Sequence, residues 1–281
     1  MFTNQTISFI GAGNMGEAMI KGILVQGLVE PEQILASEPR PSRRVELEER
    51  YGIRTTDDNR TATREANILV LSIKPQVLPK VMREINLDLD PNALVLSIIA
   101  GARIGMMTKG LRHASIVRSM PNTPGQFGVG MTVWTSTPHV SDEQRLQAQS
   151  ILQALGKEIW MDDEHYLDMA TALSGTGPAY VFLFIESLVD AGVHLGFARH
   201  VAEDLVLQTI EGSVKVVQEL KRHPATLRNM VTSPGGTSAS AIYELDKGGF
   251  RTILSKAVFA AYRRSVELGE SSENAFTEEI S

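Results

Sequence analysis

No cysteine occurs anywhere in the 281 residues. Disulfides, thiolate metal sites and a cysteine nucleophile are thereby excluded, and nothing ties the chain to an oxidising compartment. Basic charge is short as well. Lys and Arg number 27 against 33 Asp and Glu, a formal charge of −6. A nucleic-acid protein ordinarily carries a basic field, so that partner class is not expected. The histidines are His113, His139, His165, His194, His200 and His223, and none has the i, i+4 spacing of a metal-binding pair. No Gly-x-Ser-x-Gly elbow is present. Metal-dependent and serine hydrolysis are thus without support. Long apolar runs are also scarce. Met169 to Ile185 is uncharged, but Gly175-Thr176-Gly177-Pro178 interrupts it, which predicts two buried helices joined by a turn and no membrane span. The apolar stretch Thr6 to Ile10 lacks a preceding basic region and reads as a core strand, not a signal peptide. The expectation is a soluble, cytoplasmic protein with a small-molecule partner.

What is present begins at once. The strand-like run Thr6-Ile7-Ser8-Phe9-Ile10 meets Gly11-Ala12-Gly13-Asn14-Met15-Gly16, and a helical pattern, Glu17 to Leu24, follows. Strand before and helix after give this G-x-G-x-x-G its meaning as a dinucleotide-binding turn. Gly11 permits the tight turn, Gly13 lets backbone approach a pyrophosphate, and Gly16 lets helix pack on strand. The first amides of the helix, with its positive dipole end, then face the phosphates.

Strands and helices alternate up to about residue 161. Strands are predicted at 34–37, 67–73, 93–99, 115–119 and 131–135, with helices at 41–50, 76–85 and 141–155. The alternation implies an α/β, Rossmann-type doubly wound sheet, open and mostly parallel. From 164 onward only helical periodicity is visible, over 164–173, 178–195, 199–221, 224–231, 237–247 and 250–268. The run Ala179, Phe182, Leu183, Glu186, Val189, Asp190, Val193 shows mixed faces, yet it is unusually apolar for a solvent-facing helix and suggests burial on most sides. An all-helical domain of this kind is a candidate dimerisation domain, a compact monomeric bundle being the other reading. The division is expected at 1–162 for the dinucleotide-binding domain and 163–281 for a helical dimerisation and substrate domain. The tail from Glu270 to Ser281 has the polar, acidic composition of a frayed end.

Several loops carry chemistry. The strand 34–37 ends at Ser37-Glu38. An acid at this place binds the ribose hydroxyls of NAD, whereas an arginine favours the 2′-phosphate of NADP. Glu38 is followed by Arg40, Arg43 and Arg44, so the residues leave NADPH and NADH both open. Ser72-Ile73-Lys74-Pro75 and Ile99-Ala100-Gly101-Ala102 close two parallel strands and are expected to line the cofactor, because ligands of such sheets lie outside the carboxyl ends of the strands. Arg118-Ser119-Met120-Pro121-Asn122-Thr123-Pro124-Gly125 follows a strand, and the two prolines flanking Asn122-Thr123 make a stiff loop whose polar groups are expected near the nicotinamide, an ordinary connector being the alternative. Far along the chain, Ser233-Pro234-Gly235-Gly236-Thr237-Ser238 delivers a glycine turn into a helix that starts with hydroxyl residues. Free amides at such a start make an anion site. A small carboxylate is the expected guest, with Ser233, Thr237 and Ser238 as further donors; pure capping by Thr237 or Ser238 is the alternative.

Together these segments resemble the pyrroline-5-carboxylate reductase family over nearly the whole chain. The shared stretches run from Phe9-Ile10-Gly11-Ala12-Gly13-Asn14-Met15-Gly16 through Lys74-Pro75, Ala100-Gly101, Met120 to Pro124 and Ser174-Gly175-Thr176-Gly177-Pro178-Ala179-Tyr180 to Ser233 through Ser238. The resemblance implies a helical domain that interlocks two subunits as a homodimer or larger homo-oligomer. It also implies reduction of the ring imine of L-1-pyrroline-5-carboxylate to L-proline with NADPH or NADH. By the same resemblance Gly11 to Gly16, Ser37, Asn59, Lys74, Pro75 and Ala100 contact the cofactor. The substrate carboxylate sits at Gly236-Thr237-Ser238 with Glu164 close by, and no metal takes part. Ser238 is the candidate to hydrogen-bond the ring nitrogen. The family usually has threonine at the Ser238 position, serine at Thr176, and often a small hydroxyl residue at Glu38. Two other readings are a β-hydroxyacid-type dehydrogenase, which shares the layout, and a non-catalytic dinucleotide-sensing protein.

Overall fold

The structure is a computed structural model. It describes the backbone from residue 2 through 280, and side chains through Ser271 together with Glu273. Eight strands form one sheet: β1 (Ile7–Ile10), β2 (Ile34–Ser37), β3 (Arg54–Thr56), β4 (Ile68–Leu71), β5 (Leu94–Ser97), β6 (Ile116–Met120), β7 (Gly130–Ser136) and β8 (Gly156–Trp160). Their spatial order is β3-β2-β1-β4-β5-β6-β7-β8. All neighbours run parallel except β6 and β7. The order reverses between β1 and β4, which opens a crevice at the carboxyl ends of those strands.

Each central strand is buried on both faces and feeds two cores alternately. Ile7, Phe9, Ile68, Val70, Leu94 and Leu96 enter one cluster. Ile10, Leu69, Leu71 and Val95 enter the other. The first cluster is covered by α1 (Asn14–Val25) and α6 (Asp142–Gln153). The second is covered by α3 (Asn59–Arg64), α4 (Leu78–Ile85) and α5 (Ile104–Leu111). Local signals set the boundaries. Pro41 opens α2 (Pro41–Tyr51), and Gly52, at φ 68°, ends it. Ser141 and Gln144 cap α6 reciprocally.

Four elements are additions to the sequence reading. Strand β3 has three half-buried residues and β8 mixes charge with apolar groups at the sheet edge, so neither shows a strand period. Helix α3 is polar throughout and starts on an Asp58 cap, and α5 contains two glycines.

The remaining helices are α7 (His165–Ala170), α8 (Gly177–His194), α9 (Arg199–Leu220), α10 (Pro224–Met230), α11 (Thr237–Lys247) and α12 (Phe250–Ile280). A π-helical turn, Thr171–Gly175, joins α7 to α8. The expected frayed tail is instead the end of α12, helical through Ile280; Ser281 lies outside the described residues.

The compact units differ from the expected division. One comprises residues 1–177 with 261–281 and the other 178–260, so the break falls at 177/178 and not at 162/163. The reason is packing. Leu167 and Ala170 share a core with Val133 of the sheet, and Ser265 Oγ donates to Asp168 Oδ1 at 2.8 Å. Within the second unit, Gly192 brings α8 against α9: a Cβ there would stand 3.0 Å from that of Ala202. The expected burial of the 169–185 run is not met within the chain. Val189 is the only fully buried residue of α8. By length and composition His165–His194 is apolar enough to cross a membrane, and 11% of that window is buried.

Candidate active site

The glycine turn after β1 has the geometry its spacing predicts. Gly11 has φ 90°, a region open to glycine. Its amide donates to Ser37 O at 2.9 Å, which ties the turn to the end of β2. A Cβ on Gly16 would meet Gly11 O at 2.8 Å and Ser72 Oγ at 2.9 Å, whereas one on Gly13 would meet nothing within 4 Å. The first intrahelical bond of α1 is from Glu17 N to Gly13 O, leaving the amides of Asn14, Met15 and Gly16 without a helical partner. Open space over Gly13 beside three free amides fits a pyrophosphate. Ser72, first residue of the loop expected to line the cofactor, also acts as a clamp on the glycine turn: its hydroxyl donates to Gly11 O at 2.6 Å.

The crevice has two further borders. Ile73 presses a methyl toward Gly11, and Lys74 and Pro75 follow it, exposed, into a single 3-10 turn, Pro75–Val77. Ala100 and Gly101 follow β5; Gly101 has φ 72° and faces Leu268 and Gly269 of α12. Ser37 and Asn59 are brought together, the Ser37 hydroxyl donating to Asn59 Oδ1 at 2.7 Å. Asn59 Nδ2 donates onward to Glu84 Oε2 at 3.0 Å.

Glu38 is 4% exposed. Burial pushes its carboxyl up, but hydrogen bonds from the Arg40 side chain and backbone, with the charge of Arg40, hold it below the ordinary carboxylate range. Arg43 is engaged by Glu17, Glu46 and the Ala12 carbonyl. Burial likewise raises Glu17, and hydrogen bonds from Arg43, Tyr51 and Arg50 bring it below the ordinary range.

Glu164 has two partners within the first unit. One of its oxygens accepts from Ile104 N at 2.8 Å and from Arg118 Nη1 at 2.6 Å. It therefore fixes the start of α5, just beyond Ala100-Gly101. Arg118 is 3% exposed and also stands 3.7 Å from Asp168 Oδ1. The sequence reading set Arg118 at the head of the stiff loop and gave Asp168 and Ser265 no role. An arginine inside an apolar strand, and carboxylates four apart at 164 and 168, were the available signals; Ser265 had none. Asn122 is likewise internal: its amide donates to Ser174 O at 3.1 Å and accepts from Met131 N at 2.9 Å. Asn122 thus braces the stiff loop against the π turn.

In the second unit, Ser233-Pro234-Gly235-Gly236 turns at Gly235, φ 73°, and enters α11 on Gly236. Gly236 N donates to Ser233 O at 3.1 Å, and the first helical bond is from Ser240 N to Gly236 O. The amides of Thr237, Ser238 and Ala239 thus have no helical acceptor. No side chain caps the helix. Neither hydroxyl of Thr237 or Ser238 caps this end, Gly236 being the cap residue. Glu164 and Ser238 belong to different units.

Residues 164–268 match the family described as pyrroline-5-carboxylate reductase dimerisation, and residues 6–101 match NADP oxidoreductase coenzyme F420-dependent. A pyrroline-5-carboxylate reductase of Synechocystis sp. is 39% identical over 264 residues, 94% of this chain and 98% of its own. One from Pseudomonas aeruginosa is 39% identical over 265 residues, covering 94% and 97%. Among solved structures, the Plasmodium falciparum pyrroline carboxylate reductase with NADP bound superimposes with a TM-score of 0.87 at 33% identity, covering 96% of this chain and 100% of that one. Sheet, glycine turn, helical region and sequence agree along the same length, and the chain belongs to the pyrroline-5-carboxylate reductase family.

Proposed function

We propose that this chain reduces the ring imine of L-1-pyrroline-5-carboxylate to L-proline with NADPH, and with NADH as the alternative donor, as a cytoplasmic homodimer or larger homo-oligomer. The observation that carries the reading is the presence, on one chain, of two helix starts whose first amides have no helical partner. Three free amides open α1 beside the open space at Gly13, and three more open α11 behind Gly236. A dinucleotide phosphate explains the first and a substrate carboxylate the second. A dinucleotide sensor needs only the first. Membership of the family decides against a β-hydroxyacid dehydrogenase.

The bound dinucleotide supplies a hydride from the nicotinamide. The protein's residues bind and orient. Gly11, Gly13 and Gly16 admit the pyrophosphate to the amides of Asn14 and Met15. Ser37, Glu38, Arg40 and Asn59 stand at the end of β2 for the ribose; Ile73-Lys74-Pro75 and Ala100-Gly101 border the crevice. Thr237 and Ser238, with the α11 amides and Ser233, hold the carboxylate. The imine nitrogen takes a proton from solvent, hydride adds to the imine carbon, and the neutral amine nitrogen results. No strong general acid is required. Ser238 donates to the ring nitrogen and relays a proton at most. Positioning alone is worth about 7–11 kcal/mol in well-oriented reactions. Glu164 acts through Ile104 and Arg118, holding the Ala100-Gly101 border, and does not need to touch substrate.

The test is consumption of NADPH or NADH by the purified chain when pyrroline-5-carboxylate is added, with proline as product. A folded sample that binds dinucleotide but turns over with neither donor refutes the reading.

A further inference from the structure

Three arginines follow the end of β2, and the structure separates them. The Arg43 side chain is 13% exposed and committed to Glu17, Glu46 and the Ala12 carbonyl. Arg44 is 20% exposed and donates to Glu38 O at 2.9 Å and Pro39 O at 3.3 Å, with Asp57 at 3.5 Å. Both brace the turn that leads into α2. Arg40 alone is open, 65% exposed at its side chain, and its one acid partner is Glu38. Arg40 Nε lies 2.7 Å from Glu38 Oε1, Nη2 lies 3.3 Å from Oε2, and the Arg40 amide adds a bond of 3.2 Å. Glu38 is fixed from behind, its own amide donating to Thr56 O at 2.9 Å.

In this fold an acid at the end of β2 reads a ribose 2′-hydroxyl, and a nearby arginine reads a 2′-phosphate. Here the two readers are bonded to each other. Resting on the dinucleotide-site reading above, we propose that Glu38 and Arg40 form a two-position reader of the adenosine ribose that lets one site take both NADH and NADPH. Paired, as in this structure, the carboxylate accepts from a 2′-hydroxyl while Arg40 neutralises it. Released, Arg40 turns to the 2′-phosphate and Glu38 keeps its backbone anchors. The two donors therefore draw on Arg40 differently. NADH leaves the pair intact. NADPH must break it and set a phosphate near a carboxylate that has just lost its cation.

The experiment is equilibrium titration of the full chain with NADPH and with NADH, by nicotinamide fluorescence and without substrate. Wild type is compared with Glu38→Gln, Arg40→Ala and the double variant. Glu38→Gln keeps an acceptor for the 2′-hydroxyl but frees Arg40, and is expected to tighten NADPH about five- to thirtyfold relative to NADH. Arg40→Ala is expected to weaken NADPH severalfold more than NADH. The loss on removing Arg40 should be larger in the Glu38→Gln background, because there it no longer has to leave a partner. Added salt should weaken NADPH more than NADH. An unchanged ratio of dissociation constants in both single variants overturns the proposal, as does an equal loss of both donors in Arg40→Ala. Arg40 is exposed, so that variant carries the test even if Glu38→Gln does not fold. Shifted ratios without turnover refute the reductase reading alone; turnover with unshifted ratios refutes the reader alone.

Discussion

In the first unit Ile7, Phe9, Ile20 and Trp134 are at most 1% exposed; in the second, Phe182, Leu183, Ile253 and Phe259 are 62–63% exposed. Both units are built from sequences of similar apolar content, yet one hides it and the other displays it. Among the described residues of 178–260, Val189 and Ala202 are the apolar side chains that reach full burial. A sheet with helices on both faces closes its own core. A few long helices with apolar residues on several faces cannot, and need further surface. The polar groups divide in the same way. Arg118, Glu164, Asp168 and Ser265 satisfy one another inside the first unit, while the α11 start of the second offers amides to no partner of its own.

The largest effect should come from breaking the apolar half of that contrast. Phe182→Glu with Phe259→Glu should abolish self-association. Each change removes about 1.5–3 kcal/mol of burial, and each adds a charge that must leave water. Sedimentation velocity reads the outcome. The wild-type Tm should also rise with protein concentration, as mass action requires. A wild-type monomer with a concentration-independent Tm would remove the contrast.

Next in size is the polar network of the first unit. Arg118→Met leaves Glu164 and Asp168 without their cation, and removing one partner of a buried pair costs about 3–5 kcal/mol. Glu164→Gln keeps an acceptor for Ile104 N and should cost about 1 kcal/mol. Urea unfolding measures both. Equal losses would mean that the charge of Arg118 is not what needs an answer.

Ser238→Ala probes the open end of the second unit. It removes one hydroxyl and leaves the α11 amides in place. An unmade hydrogen bond of about 1–3 kcal/mol corresponds to about a five- to 150-fold fall in kcat/KM. Tm and dinucleotide affinity should not move, and Ser238→Thr should retain activity. Equal damage from alanine and threonine would mean that packing, not the hydroxyl, limits the site.

Much of this was legible in the sequence because periodicity and glycine spacing are local. The strands β1, β2, β4, β5, β6 and β7 lie within a residue or two of their apolar runs, and Gly11, Gly13 and Gly16 divide the labour their spacing predicts. What escaped was decided by distant partners. β3 is a strand because β2 offers it an edge, Leu35 facing Arg54. Asn122 pairs with Ser174, fifty-two positions away, and with Met131. The unit boundary moved because Ser265, nearly a hundred positions on, returns to Asp168. No local pattern announces such a pairing. The exposure of α8 has the same origin in reverse: apolar composition announces burial but not which chain supplies the cover.

The smallest effect sharpens the contrast through pH. His113 follows α5 in the first unit, 6% exposed, with Nε2 2.7 Å from Ala93 O. Burial lowers its pKa below the ordinary imidazole value of 6.5, outweighing the Ala93 carbonyl and Asp90, which favour the charged ring. The folded state therefore holds the neutral ring. Below about pH 6.5 the unfolded chain takes up a proton that the folded chain declines, so stability falls as pH falls through that window. Glu17 and Glu38 act in a second, lower window. Their folded pKa values lie below 4.5, and the stability they contribute is present above that value and lost as pH falls through the folded ones. His113→Gln should flatten the upper window and leave the lower one alone. Chemical denaturation from about pH 8 to about pH 3 separates the two. A slope unchanged in His113→Gln would assign the upper window to another group.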